Sequence, residues 1–321
     1  MSLNLFMSRN KFLLLIFVLS LLLNFSFLYV LIQNRVSLNF LRSTASLQAK
    51  YPFLSRRAMN DNPNDLILNF LNLRNELTKQ TAPYQNNFSA YFEYLPTGTS
   101  VGINSTQEFY AASLFKVPVI MAYYHKQERV GNINDEVLII EKQDLDKNFG
   151  NLWKKGARTK IKASEAIFLA LSRSDNTAAK VIARQVDEED FQAVYQALDI
   201  NFQTGSGGAI TTTRDYSKSL KALYFASVIN RDHSNQILMD LSKSSFNDKL
   251  VAGLPSGTLV AHKIGDYRDA KNNQAFYDCG LVYLPKRPYL LCMSSVGDQN
   301  TAKSRMKNFS KSVFDYVTSI D

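Results

Sequence analysis

The order of the predicted strands and helices constrains the fold of this chain more than any other sequence feature. Apolar and polar residues alternate on both sides of Pro96–Gly98, which predicts a hairpin of two strands. Residues 259–266 predict a third strand, and residues 274–297 predict two more around the turn Pro285–Pro288. Residues 131–247 are mostly helical in pattern. This order predicts an α+β fold, in which an antiparallel sheet receives a helical subdomain between its early and late strands.

Further helical patterns lie before, within and after these strands. Residues Asp65–Thr81 present an apolar face, and Pro83 follows as a helix-ending residue. The run after Ser113 is apolar on all sides, which predicts a buried helix. Residues Thr301–Ile320 predict an amphipathic helix. With 321 residues, the chain is long enough for one large domain or two small ones.

A long uncharged segment lies near the N-terminus. Phe12–Ile32 contains 21 residues without a charge, which is enough to span a bilayer as a helix. No convincing cleavage site follows, so we expect an uncleaved signal anchor, with a cleaved signal peptide as the alternative. The expected organisation is a cytoplasmic tail at residues 1–11, the anchor, a juxtamembrane linker at residues 33–63 and a folded domain at residues 64–321.

This organisation predicts a single-pass protein of the cell membrane with its folded domain outside the cytoplasm. Lys and Arg residues flank the anchor on both sides, so the charge distribution does not decide its orientation. Residues 1–50 hold five Lys and Arg and no Asp or Glu, which leaves only +4 of the net charge of +9 for the rest. Such a mild bias favours an anionic wall or membrane surface. It is too dilute for nucleic acid, so we expect no nucleic-acid partner. We also expect the protein to be monomeric.

The two cysteines, Cys279 and Cys292, fall on the two strands of the C-terminal hairpin. They can face each other and form a disulfide outside the cell, or they can remain buried thiols. No pair of His or Cys residues has the spacing of metal ligands. The sequence therefore predicts neither a metal site nor a cofactor.

The first candidates for chemistry are Ser113 and Lys116, which lie where small residues meet the apolar run. A lysine one helical turn after a serine lies on the same face, and a buried neutral amine activates a serine hydroxyl. The spacing alone is weak evidence, because the same Ser-x-x-Lys pattern recurs near both ends of the chain.

Two downstream motifs strengthen this assignment. Ser174-Asp175-Asn176 occurs once and opens an apolar helical run, where Ser and Asp are also common as helix N-caps. Lys263-Ile264-Gly265 lies on a predicted strand. Together with the Ser113 motif, they match in order the set Ser-x-x-Lys, Ser-Asp-Asn and Lys-Thr-Gly of penicillin-recognising serine enzymes.

On these motifs, the chain resembles the class A β-lactamase family and its penicillin-binding relatives over residues 64–321. Residues 94–119 look like that family's two strands before the nucleophile helix, residues 209–224 look like its Thr-rich helix start, and residues 279–295 look like its last hairpin. The resemblance implies a β-lactamase/transpeptidase-like fold, with an antiparallel sheet of about five strands flanked by helices and an inserted, mostly helical subdomain.

The resemblance also implies catalytic roles for four residues. Ser113 attacks the carbonyl carbon, and Lys116 is the base that takes the serine proton. Ser174 and Lys263 then pass a proton to the leaving nitrogen. Burial and nearby positive charge are expected to lower the lysine pKa, which makes the neutral amine available.

Three further residues are implied in substrate binding. Asn176 holds the amide side chain of the substrate. Gly265 lets the strand approach, and the backbone N–H groups of Ser113 and Asp266 form the oxyanion hole. The implied partners are a β-lactam or a peptidoglycan peptide as substrate, and a membrane through the N-terminal helix.

The chain departs from the family where a glutamate should activate the deacylating water. Residues 200–213 contain no Asp or Glu, and the segment between the Ser-Asp-Asn motif and the Thr-rich helix is short. The acids at residues 187–190 are better explained as the first turn of a helix. Glu165 is expected on an outer helix face. We therefore expect acylation followed by slow hydrolysis.

A second departure is Ile264, at a position where the family has Thr or Ser. The missing hydroxyl normally helps to bind the substrate carboxylate, and Tyr267 or Arg268 are the candidates to replace it. A histidine base is a poor alternative, because His262 should point away from Lys263 on the strand. The other two histidines lie in a helical run and in a polar loop.

The sequence therefore predicts a serine hydrolase of the class A β-lactamase type that cleaves the β-lactam amide slowly. A membrane-anchored D-alanyl-D-alanine peptidase or penicillin-binding protein is the alternative within the same chemistry. A non-catalytic module that binds wall peptides is the alternative from another class, although such a binder has no need of all five polar motif residues. A different ester or amide substrate on the same scaffold also stays open.

Overall fold

The structure is a computed structural model that describes residues 18, 20–26, 28–30, 49–53, 70–131, 135–201 and 203–319. The chain divides into two compact units, Met1–Pro52 and Phe53–Asp321. In the first unit, the described residues from 18 to 30 are helical and exposed. No helix within the described part of the chain is long and apolar enough to cross a membrane. Part of the expected anchor Phe12–Ile32, the tail at residues 1–11 and most of the linker lie outside the described residues.

The second unit is built around a five-stranded antiparallel sheet with the strand order β2-β1-β10-β9-β8. Its strands are β1 (Phe88–Tyr94), β2 (Thr99–Ile103), β8 (Val260–Arg268), β9 (Gln274–Val282) and β10 (Tyr289–Val296). The first two strands pair with the last three through β1 and β10, as the order of predicted elements requires. The predicted sheet and its helical insertion are confirmed.

Two helices cover one face of this sheet. They are α1 (Leu71–Thr81) and α8 (Gln299–Ser319). Both share one hydrophobic core with the sheet, in which Phe88 packs against Phe309 and Phe70 packs against Phe92, each at 5.1 Å between ring centroids. Residues 65–69 of the predicted first helix lie outside the described residues.

The other helices form the inserted region. They are α2 (Lys116–Arg129), α3 (Ala163–Ser172), α4 (Asn176–Ala183), α5 (Glu188–Ala197), α6 (Thr213–Phe225) and α7 (Arg231–Ser242). Helix α2 is buried along its first nine residues, as its apolar sequence predicts. Side-chain N-caps fix the starts of three of these helices, at Asp175, Thr212 and Asn230. The acids at residues 187–190 lie at the start of α5, which confirms their assignment to a helix N-terminus.

Two small sheets complete the second unit. One contains β3 (Phe109–Tyr110), β6 (Gln203–Gly205) and β7 (Gly208–Thr211), and the other pairs β4 (Val137–Ile139) with β5 (Lys160–Lys162). The sequence did not predict the β6–β7 hairpin. It occupies the interval without acidic residues and pairs with the strand just before Ser113. Gly207 fits only because it has no Cβ, which would lie 2.9 Å from the Tyr110 ring.

The two cysteines face each other on neighbouring strands. Cys292 of β10 is the direct register partner of Cys279 of β9. Both are fully buried, and both are free thiols. Of the two alternatives for these cysteines, the structure has the buried thiols.

Candidate active site

Ser113 lies in a short 3-10 turn, Ala112–Phe115, that leads directly into α2. Ala112 has a φ of 46°, in the left-handed region that residues with a side chain rarely adopt. Such a strained backbone persists only where the surrounding packing holds it in place. Residues of this kind cluster at active sites. Ser113 is half-buried, and its hydroxyl makes no hydrogen bond with the described residues, which leaves it available to a substrate.

Lys116 points its amine at the Ser-Asp-Asn loop. Its Nζ donates to the carbonyl oxygen of Ser174, to Ser174 Oγ at 3.2 Å and to Asn176 Oδ1 at 2.7 Å. Burial lowers the pKa of Lys116 to about 8, although the charges of Asp175 and Asp146 act in the opposite direction. With this pKa, about a tenth of the amine is neutral at pH 7, and the neutral form is the one that a general base requires.

Ser174 receives a second lysine. Lys263 of β8 is fully buried, and its Nζ donates to Ser174 Oγ at 2.8 Å and to the carbonyl oxygen of Ile264 at 3.0 Å. Burial, followed by the charge of Lys116, lowers the pKa of Lys263 well below its usual value. Ser174 itself has a φ of 55°. Since a hydroxyl oxygen has two lone pairs, Ser174 can accept from both amines and still donate its own proton.

Gly265 brings β8 close to the Ser113 turn. A Cβ at this position would lie 2.9 Å from Tyr277 Cδ2 and 3.3 Å from both the Ala111 carbonyl oxygen and Leu114 Cγ. The glycine therefore permits a backbone approach that a side chain would prevent. Asp266 follows on the same strand. The oxyanion hole formed by the N–H groups of Ser113 and Asp266 stays a prediction.

Asp175, which lies between Ser174 and Asn176 in the sequence, holds their loop in place through hydrogen bonds. It is buried, and its Oδ2 accepts the backbone N–H groups of Asn151 at 2.7 Å and Leu152 at 2.8 Å. Its Oδ1 caps α4 through Ala178 N at 2.9 Å. These three bonds fix the loop that carries Ser174 and Asn176.

Ile264 is buried and offers no hydroxyl, as its sequence requires. Tyr267 packs on Tyr110 at 4.9 Å between ring centroids, and Arg268 is exposed. Their part in binding the substrate carboxylate stays a prediction. Sequence reasoning missed Lys249, which is buried and has its Nζ 3.7 Å from Asp266 Oδ1. No motif marked this lysine, because it lies in a polar stretch outside the Ser-x-x-Lys, Ser-Asp-Asn and Lys-Ile-Gly motifs.

Each of the three histidines is bound to a carboxylate. His233 lies in α7, so its expected place in a polar loop is wrong. His262 is bound to Asp278 at 2.8 Å, while the neighbouring Lys263 points to Ser174, so the predicted opposite orientation is confirmed. His125 is bound to Asp190 and His233 to Glu128, as their hydrogen bonds show. These contacts agree with the rejection of a histidine base.

The segment where a deacylation base is expected forms the β6–β7 hairpin. The β6–β7 hairpin contributes no carboxylate beside the Ser113 turn. Glu165 is exposed at the start of α3, where it pairs with Lys155 at 3.2 Å, as expected for an outer helix face. A second residue that sequence reasoning missed is Asp146, whose carboxylate contacts Asn176.

The sequence of this chain is similar to a known protein family, and its fold is similar to those of several known proteins. Residues 72–317 match the sequence profile of the β-lactamase enzyme family. The fold is similar to a mutant of PBP-A in an acyl-enzyme complex with penicillin G, at 21% identity and a TM-score of 0.71, covering 81% of this chain and 100% of that one. It is also similar to the TLA-3 extended-spectrum β-lactamase, at 19% identity and a TM-score of 0.71, covering 77% and 99%.

A β-lactamase from Chitinophaga pinensis DSM 2588 shares 17% identity with a TM-score of 0.69, covering 76% of this chain and 99% of that one. No curated protein sequence matches the chain. The sheet and its inserted helices define a β-lactamase/transpeptidase-like fold. With the family profile matching most of its length, the chain belongs to the β-lactamase enzyme family.

Proposed function

We propose that this protein is a serine hydrolase that is acylated at Ser113 by β-lactams and by related acyl-D-alanyl-D-alanine amides. The observation that carries the proposal is the convergence of two buried lysine amines on the hydroxyl of Ser174. One of these lysines, Lys116, follows three residues after Ser113, whose hydroxyl makes no hydrogen bond with the described residues. Burying two like-charged lysines around one serine costs stability. A purely structural role therefore does not explain this arrangement.

The proposed acylation step uses each of these groups. The neutral amine of Lys116 takes the proton from Ser113 Oγ, which forms a bond to the carbonyl carbon of the substrate. As the tetrahedral intermediate collapses, the carbon–nitrogen bond breaks and the leaving nitrogen takes a proton from Ser174 Oγ. A protonated lysine amine then returns a proton to Ser174, and the backbone N–H groups of Ser113 and Asp266 hold the oxyanion.

Hydrolysis of the acyl-enzyme is the slow half of the proposed reaction. The β6–β7 hairpin supplies no carboxylate to activate water. Without such a base, the acyl-enzyme is expected to persist, and this favours a D-alanyl-D-alanine peptidase or penicillin-binding protein as the second candidate function. The wall peptide is then the natural substrate, and a β-lactam is its trapped analogue.

The proposed location is the outer face of the cell membrane, with residues 12–32 as the anchor. The uncharged stretch of 21 residues supports this part of the proposal. Fractionation of membranes, with and without removal of residues 1–32, would test it. Recovery of both forms in the soluble fraction would contradict the anchor.

A time course of intact mass tests the acylation. The purified chain is mixed with penicillin G, with Ser113→Ala as the matched control. The expected result is a gain of one penicillin mass on the wild type alone, with an adduct that decays over hours for a penicillin-binding protein and over seconds for a β-lactamase. A wild type that forms no adduct with any β-lactam or acyl-D-alanyl-D-alanine thioester would overturn the proposal and favour a wall-peptide binding module.

A further inference from the structure

We propose that Asp146 is a positioning residue for the lysine base, acting through Asn176. The inference rests on the proposed function, which gives Lys116 and Asn176 their tasks. Asp146 belongs to none of the three sequence motifs. It lies in the segment that connects β4 with β5.

The carboxylate of Asp146, the amide of Asn176 and the amine of Lys116 form a continuous chain of hydrogen bonds. Asn176 Nδ2 donates to Asp146 Oδ1 at 3.2 Å, and Asn176 Oδ1 accepts from Lys116 Nζ at 2.7 Å. An amide side chain has one donating end and one accepting end, whereas a carboxylate only accepts. Asp146 therefore selects the orientation in which the amide oxygen faces the lysine.

Asp146 is itself held from several directions. Its backbone N–H donates to Thr177 Oγ1 at 2.9 Å, and Asn148 N donates to its Oδ1 at 2.9 Å. Lys180 lies at 2.9 Å from its Oδ2. Only 12% of the Asp146 side chain is exposed, whereas 48% of the Lys180 side chain is exposed. The carboxylate is therefore fixed against Asn176, and Lys180 is the replaceable outer partner.

The charge of Asp146 acts on the base in a defined direction. Two carboxylates, Asp175 and Asp146, raise the pKa of Lys116 against the effect of burial, and Lys263 is the cation that faces it from β8. The oxygens of Asp175 are occupied by backbone N–H groups, whereas Asp146 reaches the lysine through one amide. When Lys116 takes the serine proton, Asp146 stabilises the ammonium ion that forms.

The same arrangement favours one substrate class. The Nδ2 group of Asn176 has two protons, and Asp146 takes one of them. The second proton is left for a carbonyl oxygen on the acyl side of the substrate. Substrates with an acylated amine next to the scissile carbonyl should therefore gain from the orientation that Asp146 imposes, and substrates with a free amine there should not.

The first test measures Lys116 without any substrate. Lysine ε-carbons are labelled with ¹³C, and the Lys116 signal is assigned with Lys116→Arg. In Asp146→Asn, the titration midpoint of Lys116 is expected to fall below the wild-type value of about 8. In the control Lys180→Met, which leaves the carboxylate in place and unscreened, the midpoint is expected to stay or rise. A purely structural role for Asp146 does not predict that the Lys116 midpoint falls in Asp146→Asn while it stays or rises in Lys180→Met.

The second test measures acylation by penicillin G, which has an acylated amine, and by 6-aminopenicillanic acid, which has a free one. At a pH above the Lys116 midpoint, where the base is neutral in both proteins, acylation of Asp146→Ala by penicillin G is expected to be about tenfold slower, because a charge-assisted hydrogen bond is lost. Acylation by 6-aminopenicillanic acid is expected to fall clearly less. Lys180→Met should keep the wild-type preference between the two compounds.

The outcomes separate this inference from the proposed function. An unchanged Lys116 midpoint in Asp146→Asn, together with an unchanged substrate preference in Asp146→Ala, would overturn the positioning role even if acylation occurs. A shifted midpoint in a protein that no β-lactam acylates would keep the positioning role and overturn the proposed reaction. Equal changes in Asp146→Asn and Lys180→Met would show a general electrostatic effect and would also overturn the positioning role.

Discussion

The Nζ of Lys263 lies 2.8 Å from the Oγ of Ser174, although the two residues are 89 positions apart in sequence. This bond joins the edge strand of the sheet to the inserted helical region. It also connects the two downstream motifs that singly have ordinary structural explanations.

The first prediction concerns this pair. Ser174→Ala and Lys263→Ala should each lower the rate of acylation by penicillin G by about 10²-fold or more, because both interrupt the same proton path. The double variant should be little worse than either single variant, since residues that act as a unit are not additive. Stopped-flow acylation measures the rates, and thermal unfolding controls for folding. Additive losses would contradict a shared path.

The second prediction concerns pH. The base is the neutral amine of Lys116, whose pKa burial lowers to about 8. Below that pH the neutral fraction falls about tenfold per unit, so acylation should rise with pH and level off above about 8. Lys116→Arg should lose at least about 10²-fold at every pH, because a guanidinium stays protonated. A flat profile in the wild type would assign the proton to another group.

The third prediction concerns Lys249. Its amine lies beside Asp266, at the end of the strand where the substrate carboxylate is expected and where Ile264 offers no hydroxyl. Lys249→Met should therefore weaken binding of penicillins about tenfold while the limiting acylation rate changes little. The dependence of the rate on penicillin concentration separates the two quantities. A loss confined to the limiting rate would place Lys249 in catalysis instead.

The fourth prediction concerns Gly265. Gly265→Ala should destabilise the protein by about 1–3 kcal/mol, because the new Cβ has no room. It should also slow acylation strongly, because the strand is pushed away from the Ser113 turn. Gly280→Ala is a matched control, since its Cβ would lie 2.6 Å from His262 Cβ on the other face. Urea unfolding should show similar losses for both, with the larger acylation defect in Gly265→Ala.

The fifth prediction concerns the thiols of Cys279 and Cys292. Burial raises the pKa of both, so a thiol reagent should not label either in the native protein. Both should react once the chain is unfolded in denaturant without a reductant. Failure to label the unfolded chain would mean that the cysteines pair.

The strands were predictable because apolar and polar side chains alternate along them, and the buried helix was predictable because its sequence is a long apolar run. The residues of the site were predictable because three short motifs occurred in order. Asp146 and Lys249 were not, since each gains its meaning from contacts with residues distant in sequence. The β6–β7 hairpin was missed for a related reason. Its segment is rich in glycine and small polar residues, and its partner strand at Phe109 lies about a hundred residues earlier.

The position of that hairpin has a consequence for how the proposed activity can change as the sequence changes. In the proposed reaction, the groups that form the acyl-enzyme lie on the Ser113 turn, α2, the Ser-Asp-Asn loop and β8, whereas the hairpin occupies the interval where the family's hydrolytic glutamate is expected. Formation and breakdown of the intermediate are therefore encoded by separate stretches of the chain. Under the proposed function, insertions or replacements between Ile200 and Thr211 are expected to lengthen or shorten the lifetime of the acyl-enzyme while the groups that form it stay constant. This one short segment would then decide whether a protein with this fold retains a β-lactam or hydrolyses it.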